Sequence, residues 1–243
     1  MKKIGLIILT ILSITSCKKD KKEIVFGDYS KMSIDYYDTI LIGGYNDAKK
    51  IDIDINKDKV PDIRLISEVW GSQGVGLNPC SKIWCLNRNT KILGYDKTDT
   101  LFLNRLTRIF PGPDNTTEIY NYYNFTCHRI DESDTILAVY KNDFKIAPKN
   151  KKEHLSLDDT FKSDSITLID DSYYYPDYRE EYSEDTVRYT VTSFYNDCNS
   201  FPLDEIKYIG LKIQFDNSEK FGWIKLSIID KFKIFILETA IQE

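Results

Sequence analysis

A chain of 243 residues with 42% hydrophobic and 13% aromatic side chains can build a real core, which excludes a disordered tether. Its formal charge of −5, with no basic cluster in the body of the chain, gives nucleic-acid binding no support. Two histidines, with no G-x-S-x-G, phosphate loop or H-E-x-x-H, leave the common hydrolase layouts incomplete.

At the N-terminus, Lys2 and Lys3 precede an apolar run from Ile4 to Ile14. That run is about 11 residues, too short for a hydrocarbon core that needs roughly 20 in a helix, so it reads as a cleaved signal. Ile14-Thr15-Ser16-Cys17 then resembles the bacterial lipobox, in which diacylglycerol is added to the cysteine before cleavage. The resemblance implies a signal peptide over residues 1–16 and a lipid-bearing Cys17. It also implies an outer-membrane anchor in a bacterial cell envelope, facing the periplasm or the outside. Two or more acyl chains hold stably where one is marginal. Lys18-Lys-Asp-Lys-Lys-Glu23 reads as a short polar tether, so residues 17–23 are anchor and spacer and 24–243 one β domain.

Along that domain strand signals dominate. Asp38–Ile42 is the first β-branched run; Ile51, Ile53 and Ile55 then alternate with Asp52 and Asp54, the period-2 pattern of a half-buried strand. Asp54-Ile-Asn56-Lys-Asp58-Lys-Val60-Pro-Asp62 follows directly. Side-chain oxygens fall at its positions 1, 3, 5 and 9, and the Val60 carbonyl at 7, a spacing able to wrap a structural calcium ion. Lys59 stands where an EF-hand has glycine and Leu65 where it has a bidentate glutamate; with no flanking helices, an EF-hand is excluded.

Ile63–Trp70 reads as the next strand. Beyond it lie Cys80, Cys85, Cys127 and Cys198, an even number that in an exported protein favours disulfides, with three connectivities open. Cys80 and Cys85 are near enough to close a small loop, which would leave Cys127 for Cys198. Zinc is the rival, but there is no C-x₂-C pair, and neither His128 nor His154 completes a ligand pattern.

Thr100–Ile109 is the only passable helix, stopped by Pro111 and Pro113. Glu118–Phe125 and Asp134–Tyr140 are further strands, and residues 143–160, rich in Lys, Asn and Asp, read as a long exposed connection. A second such loop is expected over 170–185, where acids mix with Tyr173, Tyr174, Tyr175, Tyr178 and Tyr182. Val187, Tyr189 and Val191 then alternate with polar residues. The segments 209–215, 224–228 and 232–237 form a three-strand C-terminal meander. The fold class expected is an all-β antiparallel sandwich, with jelly-roll and immunoglobulin-like topologies both open.

The D-x-N-x-D-x-x-x-D hairpin, with Tyr208-Ile-Gly210-Leu-Lys-Ile and Phe221-Gly222-Trp223-Ile-Lys-Leu-Ser, resembles a set of uncharacterised exported β proteins of the Bacteroidota. In those the calcium-like loop carries glycine at the position of Lys59. The resemblance implies a sandwich and an envelope location, and no activity. Asp38-Thr39, Asp99-Thr100, Asp134-Thr135, Asp164-Ser165 and Asp185-Thr186, each before an aliphatic residue, are similar to the O-glycosylation sequon of that phylum.

The functional expectation is a lipid-anchored, non-catalytic binding or assembly component with a glycan or an envelope protein as partner. The tyrosine-rich segment and Trp70, Trp84 and Trp223 are the candidate aromatic contacts, Trp223 reading as core. The alternative is a glycan-active enzyme using a carboxylate pair.

Overall fold

The period-2 runs pair into sheets, and in a computed structural model of the chain almost every one is a strand. Residues 23–72, 76–127, 129, 135–170, 173–195, 199–215 and 218–243 are described. In order the strands are β1 (Glu23–Val25), β2 (Met32–Ile42), β3 (Lys49–Ile53), β4 (Ile63–Ser72), β5 (Gly76–Cys85) and β6 (Thr90–Pro111). They continue as β7 (Thr117–Thr126), β8 (Thr135–Ile146), β9 (His154–Ser156), β10 (Phe161–Lys162), β11 (Ser165–Asp170) and β12 (Tyr173–Ser183). The last four are β13 (Thr186–Tyr195), β14 (Lys207–Phe215), β15 (Ser218–Ile229) and β16 (Lys233–Gln242).

The protein is an all-β sandwich. A large sheet runs β12-β13-β7-β6-β14-β15-β16-β2, with β8 and β10 also on β6, and a four-stranded sheet runs β11-β5-β4-β3. All pairings between these strands are antiparallel except β13 with β7. The main core lies between the two sheets. Ile53, Ile63, Leu65 and Ile83 of the small sheet meet Ile92, Ile209, Leu211, Ile224, Leu226 and Ile236 of the large one. The expected meander is there as β14-β15-β16.

The reverse face of the large sheet carries a second core. Phe26, Tyr208, Phe221 and Trp223 pack there beneath the short β1–β9 pair, with Ile24 and Leu155. Trp223 is completely buried, and Phe26, Tyr29 and Tyr208 ring it at centroid distances of 6.1, 6.4 and 6.1 Å.

Two expectations are corrected. Thr100–Ile109 is not a helix but the middle of β6, which pairs with β8 on one side and β7 on the other. The helical spacing of Leu103, Leu106 and Ile109 yields to the β7 ladder, joined by the β8 ladder as far as Leu103. Residues 170–185 are not a loop either: Tyr173–Ser183 is a strand in a hairpin with β13. Residues 143–160 are a connection only in part, since β8 continues to Ile146 and β9 spans His154–Ser156.

β6 is the structural hinge of the fold. Its first half belongs to the sandwich; its second half, with β7, β13 and β12, extends as a four-stranded arm. At the root of the arm Asp99, 5% exposed, pairs with Lys97 at 2.8 Å and with the buried Lys145 at 3.0 Å.

Candidate functional site: the acidic loop and its concavity

β3 delivers the acidic loop because Ile53 and Ile55 point into the core while Asp54 between them points out. Asp54 closes the turn with both oxygens: Oδ1 accepts the Lys57 amide and Oδ2 the Lys59 amide, each at 2.7 Å. Asn56 Oδ1 accepts the Asp58 amide at 3.0 Å, and Asp58 Oδ1 accepts the Val60 amide at 2.7 Å. These turns demand left-handed backbone at Lys57 (φ 64°) and Lys59 (φ 72°). Lys59 therefore adopts the conformation that the glycine of an EF-hand loop supplies without strain at that position.

Asp62 does something different. It is 1% exposed, and its carboxylate is saturated. Oδ2 accepts the Ile55 and Asn56 amides at 2.9 and 3.2 Å. Oδ1 accepts Asn87 Nδ2 at 3.2 Å and Thr90 Oγ1 at 2.9 Å. Asp62 thus staples the loop to the β5–β6 turn. On the far side Lys57 reaches β2, donating to Ser33 at 3.1 Å and pairing with Asp35 at 3.0 Å.

An open concavity of about 710 Å³ lies beside the loop. Asn56, Asp58, Val60 and Asp62 form one wall, and Asn87, Asn89, Gln214 and Phe215 the other. The second wall was not legible in the sequence. It comes from two places far apart in the chain, joined where the Gln214 amide donates to the Asn89 carbonyl at 2.8 Å.

A calcium ion fits part of this donor set. Each oxygen of Asp54, Oδ1 of Asn56 and Oδ1 of Asp58 accept one amide hydrogen, which leaves each a lone pair, and the Val60 carbonyl is on the same loop. Asp62 has none left. Among the described residues no three His, Cys, Asp or Glu side chains converge as a ready-made metal site.

A second concavity, about 380 Å³, is lined by Asp96, Asp143 and Asp164 with Lys145 and Lys162. Lys162 pairs with Asp96, Lys145 lies 3.8 Å from Asp143, and Asp164 accepts the Ser165 amide. Each acid there has a partner, an arrangement that favours ion pairing over the poised carboxylate pair of a glycosidase.

The cysteines correct the disulfide expectation at Cys80 and Cys85. Cys80 and Cys85 are free. Both lie on β5 with unbroken register. Five residues of strand put them on opposite faces about 16 Å apart, where a bridge needs Cα atoms within about 7 Å. Burial pushes both thiols up to about 11. Cys127 is disulfide-bonded; Cys198 and His128, like Cys17 and the signal segment, lie outside the described residues.

Of the aromatic candidates, Trp70 and Trp84 are exposed on the four-stranded sheet, Trp223 is core, and Tyr182 is exposed on β12. The side chains of Tyr173, Tyr174, Tyr175 and Tyr178 are outside the described ones. No helix among the described residues is long and apolar enough to cross a membrane. In comparison with known proteins, the chain matches no family model, no curated protein and no solved structure.

Proposed function

We propose that the protein is a lipid-anchored component of a bacterial outer envelope that acts by binding, with the concavity beside the acidic loop as its recognition surface. The observation that carries this reading is the Ile14-Thr-Ser-Cys17 sequence six residues ahead of the first strand. An extended six-residue link reaches at most about 20 Å, so the lipid would hold the sandwich close to the bilayer. Calcium, held by Asp54, Asn56, Asp58 and the Val60 carbonyl, would brace one wall of the concavity, with Asp62 anchoring the loop from behind. The opposite wall, three side-chain amides and Phe215, suits a neutral, hydroxyl-rich ligand such as a glycan. Amides offer donor and acceptor together, and the ring offers an apolar face.

Fractionation of cells expressing Cys17→Ser tests the anchor: the protein should leave the membrane fraction, and retention there overturns the reading. For the recognition surface, a glycan array probed with wild type and Asn89→Ala should show binding lost in the variant. Equal binding by both places the ligand elsewhere.

A further inference from the structure

The arm is the part of the molecule that this function leaves unexplained. Four strands, β6, β7, β13 and β12, stand in one layer, and a sheet buries its apolar face against a second layer. Register sorts the two faces. One presents Leu106, Arg108 and Phe110 from β6, Glu118, Tyr120 and Tyr122 from β7, Val187 and Tyr189 from β13, and Glu180 and Tyr182 from β12. The opposite face is polar and of mixed charge, with Arg105, Arg179, Arg188, Asp177 and Glu181 around Ile109 and Ile119.

The apolar face is pre-ordered. Tyr120 stacks on Tyr189 at 4.4 Å and on Tyr122 at 6.2 Å, Phe110 meets Tyr120 edge-on at 5.6 Å, and Arg108 lies 6.0 Å over Tyr122. Yet Leu106, Phe110 and Tyr182 are 41, 43 and 72% exposed. Because the tyrosine rings stack on one another, they present edges outward and offer no flat platform to a sugar.

We infer that this face is an isologous dimer interface, covered by the same face of a second copy. Two observations support it. Four strands about 4.8 Å apart and ten residues long cover roughly 19 by 33 Å, so two such faces bury about 1,200 Å², the lower end of a specific interface. One cross-strand row reads Arg108, Tyr120, Tyr189, Glu180, with opposite charges at its two ends. A two-fold axis parallel to the strands between β7 and β13 lays that row on itself reversed. Arg108 then meets Glu180 of the second copy, twice, and Tyr120 meets its Tyr189.

Sedimentation equilibrium of the full protein in density-matched detergent tests this. The wild type should have twice the mass of the lipidated chain that starts at Cys17, which is the 28.4 kDa precursor less residues 1–16 plus its lipid. Arg108→Glu and Glu180→Arg should each weaken dimerisation at least tenfold, and the double swap should restore it. Ile109→Lys, on the opposite face, should leave the dimer intact. A monomeric wild type at about 100 µM overturns the inference, as does a double swap that stays monomeric. Circular dichroism of each variant should match the wild type, which separates a weakened interface from a misfolded arm. The wild-type mass decides the question even if one variant misfolds.

Discussion

At the scale of single residues, the acids of this chain divide into those that close turns and those that hold cations. Asp99 is of the second kind. Burial pushes its carboxyl up, but hydrogen bonds from Lys97 and Lys145 outweigh that and leave it below the ordinary carboxylate range. A lowered folded-state value means the stabilisation is fully present above about pH 4 and is lost as pH falls through the folded value. Asp99→Asn leaves Lys145 buried beside a neutral amide and should cost about 3 kcal/mol in urea unfolding at pH 7, the difference from wild type shrinking in acid. Cys80 and Cys85, raised to about 11, should resist a thiol reagent at pH 8 until the chain is unfolded. Fast labelling of the native protein would contradict their burial. Of the five Asp-Ser/Thr triplets, three coincide with strand starts, since Thr135, Ser165 and Thr186 are the first residues of β8, β11 and β13, whereas Thr39 and Thr100 lie within β2 and β6. A hydroxyl residue opening a strand fits the β-propensity of threonine and the turn preference of serine.

At the scale of elements, the alternating strands were legible because a period of two is a local property that needs no partner to be read. β6 was not legible. Leu103, Leu106 and Ile109 fit a helix face equally well, and only the ladders from β7 and β8 decide against it. The same holds for β12, whose acids and tyrosines read as a loop until β13 pairs with it. The meander, by contrast, was visible in outline, and its burial makes a strong expectation. Trp223→Ala should cost about 4 kcal/mol, since it empties a fully buried site ringed by Phe26, Tyr29 and Tyr208. In the acidic loop, Lys59→Gly should be neutral to stabilising by roughly 0.5 kcal/mol. Relief of the left-handed backbone at φ 72° offsets the extra flexibility of the unfolded chain.

At the scale of the whole molecule, calcium and the loop separate into two testable contributions. If calcium binds as proposed, a hundredfold excess over its Kd should raise stability by about 2.7 kcal/mol, a rise in Tm of about 5 °C or more that chelator reverses. Asp54→Asn and Asp58→Asn should abolish that rise. Asp62→Ala should lower Tm by the same amount with and without calcium, because its bonds to Asn87 and Thr90 tie the loop to the β5–β6 turn. An unchanged melting temperature in chelator sinks the calcium proposal and leaves the staple standing.

From the sequence by itself come the all-β class, the C-terminal meander, the acidic hairpin loop and the lipobox-like N-terminus. Each is written in neighbouring residues, as a period, a spacing or a short motif. The tertiary structure alone decided that β6 bridges sandwich and arm and that β13 runs parallel to β7. It also decided that Cys80 and Cys85 face apart, and that Asn89 and Gln214 share a wall with Asp58. These depend on inter-strand hydrogen bonds and on packing between residues up to about 150 positions apart, and such pairings leave no trace in local pattern.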